Sequence, residues 1–397
     1  NFSCHRKTHH FVQYPFFARL ADRIKMNSFR WKLFRYSLPL KEPLRMLGHV
    51  LNERRGLILR LFEESSENSV DQQFGEGEIT PLPGLHPESL LQAENQIRDF
   101  LSENSHPTQK RKTLFSSVCF GLDMAQRTLH QSSKVSESIK SGETVGRDYK
   151  SAKNKISAKQ VPVNGLAVAS GKKLEQECEL LRDAGFKAIK IKVGRLNLQE
   201  DIERVKIARK ILPDEIALRL DANRSWEWEE AFEFAQAVSN CKIEFCEEPL
   251  RDFQKLEELH LQTGIPLALD ETLWTNPNPD ALPKNGIKAL IIKPGIIGGW
   301  DGTKFWVDYA EKKNMQVVLS SSFESGLGLN WIASMAANLL RQQLPTGLDT
   351  AKWFERDLID PPFTLTNGSY VFPDSWPRAK VKNLQKIAAG TWESEIS

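Results

Sequence analysis

The stretch IALRLDAN, residues 216 to 223, alternates apolar and polar side chains with a period of two. As a β-strand it places its aliphatic side chains on one face and Arg219, Asp221 and Asn223 on the other. The polar groups collect toward the carboxyl end of the segment. The pattern therefore predicts a strand that is buried on one side and presents charged groups to a polar site on the other.

The neighbouring apolar segments end in the same way, and amphipathic helical segments separate them with a repeat of roughly 25 residues. Their polar residues are Lys190 and Lys192 in AIKIKVG, Glu247 in IEFCEEPL, Asp270 in PLALDETL, Lys293 in KALIIKPG and Ser320 to Ser322 in MQVVLSSS. An open doubly wound sheet concentrates ligands at one switch point, whereas here successive strands all contribute. We therefore predict an α/β fold with a closed (β/α) TIM-like barrel over residues 160–350.

The remaining sequence divides by composition. Residues 1–25 form a basic, acid-poor leader that we expect to lie outside the fold. Strand-like segments followed by helical patterning predict an α+β capping domain over 26–135. We predict a polar linker at 136–159, and we expect the segment 351–397 to pack back on the capping domain.

Two boundaries inside the capping domain can be placed from local signals. The stretch GEGEITPLPGLHP, residues 75–87, is rich in glycine and proline and indicates a loop. Helical patterning then extends from Pro87 to about His130.

Bulk properties exclude several classes of function. The formal net charge is +3 without a long run of like charge, which argues against nucleic-acid and membrane-surface binding. The five cysteines are scattered and no apolar run is long enough to span a membrane. These features predict a cytoplasmic protein, or one of the plastid stroma if residues 1–25 are a transit peptide. Monomer and homodimer both remain open.

Three carboxylates end consecutive predicted strands: Asp221, Glu247 and Asp270, here called the acidic row. At a barrel mouth they would repel one another unless they are protonated or share a cation. Oxygen donors without histidine or cysteine favour Mg²⁺ over zinc, and Mn²⁺ is a possible substitute. The sequence therefore predicts a metal site at the mouth.

The lysines supply a candidate base. A dication and the nearby Lys190 both disfavour the charged form of Lys192, which predicts an amine able to accept a proton at neutral pH. Lys293 lies on a strand roughly across the barrel and flanks whatever the metal binds. The pattern indicates proton abstraction next to a group whose negative charge the metal stabilises.

The order KIK, DAN, EEP, DE and KPG resembles the enolase superfamily in its muconate-lactonizing subgroup, over roughly residues 27 to 360. The resemblance implies that the acidic row binds the metal and that Lys192 and Lys293 are the acid/base pair. Further stretches resemble members of this subgroup that act in menaquinone and phylloquinone biosynthesis. They are VNGL (163–166), IIKPGIIGG (291–299), SSSFESGLGL (320–329), GLDT (347–350) and GEITPLPG (77–84). This likeness implies a hydro-lyase that dehydrates a small anionic cyclohexadiene carboxylate.

Other residues are candidates for the substrate-binding set: Lys190, Arg219, Asn223, Ser320, Ser321, Ser322 and Gly326. Arg219 can equally be a buried ion-pair partner. Glu271 is expected to orient a neighbouring metal ligand without touching the ion. Glu248 has the opposite strand parity and receives no assignment.

Three alternatives to the lyase stay open. An N-acylamino acid racemase or dipeptide epimerase needs two opposed bases, which the two lysines would also provide. A Schiff-base aldolase would use one of these lysines as a nucleophile. A scaffold that has lost catalysis would keep the barrel for partner binding.

Overall fold

The structure, a computed structural model, describes residues 28–46, 48–63, 74–102, 113–140 and 159–393. The predicted basic leader and residues 141–158 of the predicted linker lie outside these ranges. Among the helices within them, none combines the length and the apolar character needed to cross a membrane.

The strands are β1 (Ser28–Met46), β2 (His49–Glu63), β3 (Phe74–Ile79), β4 (Gln160–Pro162), β5 (Gly165–Ala167), β6 (Ala188–Lys192), β7 (Ala217–Asp221), β8 (Ile243–Glu247), β9 (Leu267–Leu269), β10 (Ile287–Ile292), β11 (Gln316–Leu319), β12 (Leu365–Thr366), β13 (Ser369–Val371) and β14 (Gln385–Glu393). The α-helices are α1 (Leu90–Ser102), α2 (Ser116–Lys140), α3 (Gly171–Asp183), α4 (Leu198–Ile211), α5 (Trp228–Ala237), α6 (Leu256–Thr263), α7 (Glu271–Thr275), α8 (Pro294–Ile297), α9 (Gly299–Lys312) and α10 (Gly326–Leu339).

An antiparallel sheet in the order β14–β1–β2–β3 packs against α1 and α2. Its outer strand β14 comes from the far end of the chain and pairs with β1 in register from Ser28–Glu393 onward. The rings of Phe29 and Trp392 lie 4.6 Å apart in the shared apolar core. The sheet is therefore complete only when residues that follow the barrel in the sequence join it.

The strand β3 corrects the expectation of a loop for residues 75–79, while residues 80–87 lie outside the helices and named strands as expected. Gly75 and Gly77 face α2 so closely that an added Cβ would lie 1.8 Å from the carbonyl oxygens of Ala125 and Gly121 respectively. Glycine usually disfavours strands, but here the missing side chains let the helix pack directly on the strand backbone. Glu76 and Glu78, which alternate with the glycines along the strand, point to the other face of the sheet, where both are fully buried.

This contact predicts a large effect of one methyl group. Gly77→Ala is expected to lower the free energy of unfolding by about 3 kcal/mol or more, because the Cβ meets backbone atoms that cannot rotate away. Urea denaturation would measure the loss. The control is Gly264→Ala, because Gly264 has open space around it and a φ of +72°. Only the left-handed backbone conformation should then lower the free energy of unfolding, by about 1 kcal/mol. Equal losses would contradict the role of the helix contact.

Seven parallel strands form the barrel in the order β11–β10–β9–β8–β7–β6–β5. A short segment at Thr346 and Gly347 takes the eighth position. Gly347 forms a parallel bridge with Ser320 after β11, and Thr346 forms one with Val163 before β5. The predicted (β/α) barrel is confirmed, and these two residues close it.

Side chains inside the barrel lie in two layers. The lower layer is an apolar cluster of Phe245, Ala268, Ala289, Ile291 and Val318. Side chains two residues apart on a strand point to the same face. The residues two positions after Phe245, Ala268, Ile291 and Val318 therefore also point into the barrel, at the carboxyl ends of the strands, and they are Glu247, Asp270, Lys293 and Ser320. The alternation that predicted the strands therefore also places the polar groups at one mouth.

Some predicted boundaries differ from the structure. Helix α2 continues to Lys140. The helical pattern was expected to end near His130, and residues 136–140 were assigned to the polar linker, so the helix is about ten residues longer than predicted. Helical hydrogen bonds can run through a segment that is poor in large apolar residues, which is why hydrophobic periodicity missed it. The stretch VPVNGLAV was expected to be one strand, but it contributes to two. Strand β4 joins a separate sheet with β12 and β13, and β5 belongs to the barrel.

Candidate active site at the barrel mouth

Consecutive strands carry the predicted site residues side by side. Lys192 is in register with Asp221, and Asp221 is in register with Glu247. Asp270 and Lys293 directly follow β9 and β10. Parallel pairing thus brings together the lysines and the acidic row, as the strand ends predicted.

Each carboxylate of the acidic row contacts a lysine ammonium group. The Lys190 Nζ atom lies 2.9 Å from Asp221 Oδ2 and 2.8 Å from Glu247 Oε2. Lys192 Nζ lies 2.5 Å from Asp221 Oδ2, and Lys293 donates to Asp270. These lysines provide the opposite charge that three buried carboxylates require.

Burial dominates the electrostatics of the row. Burial raises the pKa of Glu247, and the Asp221 carboxylate adds to the shift. It also raises the pKa of Asp270, well above its usual range. Asp221 differs, because its two neighbouring lysines outweigh burial and hold the pKa of its carboxyl well below the ordinary value. A further positive charge nearby would therefore stabilise the ionised forms of Glu247 and Asp270.

The donor set fits Mg²⁺. Within the described ranges, no three acidic, histidine or cysteine side chains lie close enough together to hold a metal ion. The carboxylates of the acidic row form ion pairs with lysines instead. Glu247 Oε1 and Asp270 Oδ1 nevertheless are buried without a hydrogen-bond partner. A buried carboxylate oxygen without a partner is unfavourable, and a hard cation would satisfy it.

Lys192 and Lys293 lie on opposite sides of the mouth. Their strands, β6 and β10, are separated by β7, β8 and β9, which is half of the way around a ring of eight positions. Both side chains are largely buried yet retain access to solvent, with exposed fractions of 20% and 13%. The acidic row lies between them, so a molecule held there would meet an amine on each side.

Asn223 connects the base candidate to Glu271. Its Oδ1 accepts from Lys192 Nζ at 2.8 Å, and its Nδ2 donates to Glu271 Oε1 at 3.0 Å. The backbone of Asn223 is left-handed, with φ of 45°. Asparagine tolerates this conformation better than most residues, and the turn aims the amide into the mouth.

Glu248 has a role that strand parity did not reveal. It is fully buried and its carboxylate accepts from the backbone N–H groups of Asp270 and Thr272, at 2.9 and 2.7 Å. Arg224 Nε donates to its other oxygen at 2.9 Å. Glu248 thereby fixes the turn that carries Asp270. Its φ of 42°, which strand patterning cannot anticipate, directs it there.

Arg219 lies below the mouth. Its side chain is 1% exposed, and it contacts Glu244 Oε2 at 2.6 Å and the Pro345 carbonyl oxygen at 2.6 Å. Its guanidinium is also 5.1 Å from the centre of the Phe245 ring, in the apolar layer. These contacts favour the ion-pair alternative over contact with a substrate.

The serine loop, residues 320–325, is held by the protein. Ser321 Oγ is 2.9 Å from Thr350 Oγ1, and Ser322 N donates to Glu324 Oε2 at 2.6 Å. Ser320 lines a small cavity inside the barrel together with Lys190 and Glu247. Of the three serines, Ser320 is the one whose residue lines this cavity.

Gly326 lies against a carboxylate of the same chain. Its backbone N–H donates to Asp357 Oδ1 at 2.9 Å, and a Cβ on Gly326 would lie 2.0 Å from Asp357 Oδ2. The glycine thus makes room for a carboxylate of the same chain. This contact does not favour a direct role in substrate binding.

A larger cavity, of about 1100 Å³, lies elsewhere and includes Lys41, Phe186, Asp349 and Phe363 in its wall. None of the predicted site residues lines it. Size alone would select this cavity, but it lacks the converging carboxylates and amines, so the barrel mouth remains the candidate active site.

Comparison with known proteins agrees with the fold. Residues 173–376 match the family model described as enolase C-terminal domain-like, and residues 29–129 match the MenC N-terminal domain. The o-succinylbenzoate synthase of Yersinia pseudotuberculosis serotype O:1b (strain IP 31758) is 32% identical over 83% of this chain and 92% of its own length. That of Vibrio cholerae serotype O1 (strain M66-2) is 32% identical over 92% of this chain and 98% of its own length.

Solved structures share the architecture. A dipeptide epimerase from Cytophaga hutchinsonii, complexed with Mg and the dipeptide D-Ala-L-Val, has a TM-score of 0.71 at 20% identity and covers 92% of this chain and 100% of its own. Muconate lactonizing enzyme from Pseudomonas fluorescens, complexed with muconolactone, has a TM-score of 0.68 at 17% identity, covering 89% and 96%. At these identities the likeness shows the fold alone.

The capped (β/α) barrel and the family match over residues 173–376 place the chain in the enolase superfamily of enzymes. Both parts of the chain match the models, and relatives at 32% identity align over most of its length. The chain belongs to the o-succinylbenzoate synthase family, whose members are hydro-lyases.

Proposed function

We propose that this chain is an o-succinylbenzoate synthase, which dehydrates 2-succinyl-6-hydroxy-2,4-cyclohexadiene-1-carboxylate to 2-succinylbenzoate in menaquinone or phylloquinone biosynthesis. The observation that carries the proposal is the pair of amines, Lys192 and Lys293, facing each other across the acidic row. Two opposed amines suit several proton-transfer reactions, and the family relationship selects the elimination of water from among them.

Each residue has a role in the proposed reaction. Asp221, Glu247 and Asp270 would hold Mg²⁺, or Mn²⁺ in its place. When bound, the ion supplies positive charge that stabilises negative charge developing on the substrate carboxylate. Lys192 removes the proton from the carbon next to that carboxylate. The C–O bond then breaks, and the same side chain returns the proton to the departing hydroxide, so that water leaves and the ring becomes aromatic.

Lys293 stays an ammonium group on the other side of the ring. Burial lowers the pKa of Lys293, but the Asp270 carboxylate more than offsets this and raises it above the ordinary value. The charge stabilises the electron-rich ring by Coulomb and cation–π attraction. Asn223 orients Lys192, and Ser320 and Lys190 complete the wall of the site.

The test is turnover of the cyclohexadiene substrate, followed by the ultraviolet change on aromatisation, with and without Mg²⁺. We expect Mg²⁺-dependent formation of 2-succinylbenzoate. Two opposed amines also suit a racemase or epimerase, so N-acylamino acids and dipeptides should be tried in deuterium oxide. Deuterium incorporation at the α-carbon with inversion, in the absence of aromatisation, would favour that second candidate and reject the first.

A further inference from the structure

A second group of buried ionisable side chains lies where the capping domain meets the barrel, away from the acidic row. Its members are Tyr36, Arg54, Glu78, His86 and Glu324, here called the interface cluster, and all are buried. Burial of ionisable groups is unfavourable unless hydrogen bonds compensate for it. None of these side chains has a part in the proton transfers described above.

Glu78 provides the N-terminal cap of a helix in the other domain. Its carboxylate on β3 accepts from the backbone N–H groups of Ser325 and Gly328, at 3.0 and 2.9 Å. It also accepts from Ser325 Oγ at 2.8 Å and from the Tyr36 hydroxyl. Ser325 is the N-cap of α10, so a carboxylate of the capping domain satisfies N–H groups that the helix leaves unpaired.

Arg54 fixes the backbone just before that helix. Its Nε donates to the carbonyl oxygen of Phe323 at 3.1 Å, while Nη2 donates to the carbonyl oxygen of Thr80 at 2.9 Å. Phe323 has a φ of 61°, which is unfavourable by about 1–2 kcal/mol for a residue other than glycine. The serine loop therefore keeps a strained conformation that contacts from the capping domain stabilise.

His86 extends the contact to the turn after Lys293. Its Nδ1 accepts from Leu82 N at 2.9 Å, so its Nε2 carries the proton that it donates to the carbonyl oxygen of Gly295, at 3.1 Å. A Cβ on Gly295 would lie 2.8 Å from Glu324 Oε1. The loops after β10 and β11 are thus packed against each other and against the capping domain.

We propose that Glu78 is a positioning residue, which through Ser325 and α10 sets the conformation of the serine loop that receives the substrate. Phe323 and Ser325 are within three residues of Ser322, so loss of the cap would let the loop leave its strained conformation. The proposal rests on the proposed function for its kinetic consequence. Its structural consequence can be measured without any substrate.

The strand offers a matched control. Glu76 lies two residues earlier on the same face, is equally buried, and accepts from Arg60 Nε at 2.7 Å and from Ala379 N at 2.9 Å. It therefore connects β3 to the C-terminal segment, whereas Glu78 connects β3 to the start of α10. Glu76→Gln and Glu78→Gln make the same substitution in the same strand, but of the two side chains it is Glu78 that contacts the start of α10.

The experiment compares both variants with wild type at a temperature well below all unfolding midpoints. For Glu78→Gln we expect KM to rise about tenfold, with kcat changed by less than about threefold, because substrate binding is lost rather than proton transfer. Glu76→Gln should keep KM within about twofold of wild type. A similar rise in KM for both variants would overturn the proposal, since a general loss of stability would explain it.

Hydrogen–deuterium exchange of the substrate-free proteins provides the independent measurement. Amides of residues 320–328 should exchange faster in Glu78→Gln than in wild type and Glu76→Gln. Unchanged exchange there would overturn the proposal even if wild type lacks synthase activity. That lack of activity alone would reject only the proposed function.

A second variant covers the case in which Glu78→Gln does not fold. Gly328→Ala introduces a Cβ 2.5 Å from Glu78 Oε2 and so displaces the carboxylate from the barrel side. Alanine favours a helix more than glycine does, which offsets part of the cost. We expect the same faster exchange at residues 320–328 and the same rise in KM. Wild-type values for both would overturn the proposal.

Discussion

Lys192→Met is expected to lower turnover of the cyclohexadiene carboxylate by about 10³-fold or more, because a positioned general base contributes about 10²–10⁴-fold and the same amine must act twice. Methionine keeps the apolar stem of the side chain but has no group that accepts a proton. Asp221 would retain Lys190 Nζ at 2.9 Å, so the buried carboxylate is not left without a counter-charge. The fold should therefore survive the change. Steady-state rates and circular dichroism would measure both effects.

The control for this variant is Lys187→Met. Lys187 is exposed and directly precedes β6, at the end of the strand opposite to Lys192. It should lose less than about twofold in turnover, because surface changes of this kind have small effects. Turnover of Lys192→Met within about tenfold of wild type would remove Lys192 from the role of base.

Removal of divalent ions is the second change with a large expected effect. Chelation should reduce turnover to background, and added Mg²⁺ should restore it, because the charge that develops on the substrate carboxylate then lacks its stabilising cation. Mg²⁺ should also raise the unfolding temperature without substrate. Binding to the native state alone stabilises it by about 2.7 kcal/mol at a hundredfold excess over Kd. Thermal unfolding across a Mg²⁺ titration measures this effect independently of activity.

Glu247→Gln tests which atoms bind the ion. Glu247 Oε1 is buried without a partner, so replacing the carboxylate should abolish most of the Mg²⁺-dependent rise in unfolding temperature. Glu244→Gln is the matched control on the same strand, since Glu244 pairs with Arg219 below the mouth. Equal Mg²⁺ stabilisation of wild type and Glu247→Gln would show that the ion binds elsewhere.

The barrel and its polar mouth were predictable because two regularities act together. Side chains alternate along a strand, and parallel strands end at one edge, so Lys192, Asp221 and Glu247 had to become neighbours. These rules need only sequence order. The relationship to the enolase superfamily was recognisable for the same reason, since its motifs are the strand ends.

Features that depend on one particular contact were not predictable. The strand β3 contains two glycines and reads as a loop until α2 is seen to lie against it. Glu248 reaches the turn of Asp270 only because its own backbone is left-handed. Gly326 was a candidate for substrate binding, whereas the structure places the Asp357 carboxylate against it. In each case a tertiary contact overrides the local pattern.

The pairing of β14 with β1 has a consequence for biosynthesis. Strand β1 emerges from the ribosome before the barrel, but its partner at Gln385–Glu393 is translated only after the whole barrel. Until then the edge of β1 is unpaired and Phe29 lacks the indole of Trp392. The antiparallel sheet of the capping domain is thus completed only after the barrel has been translated.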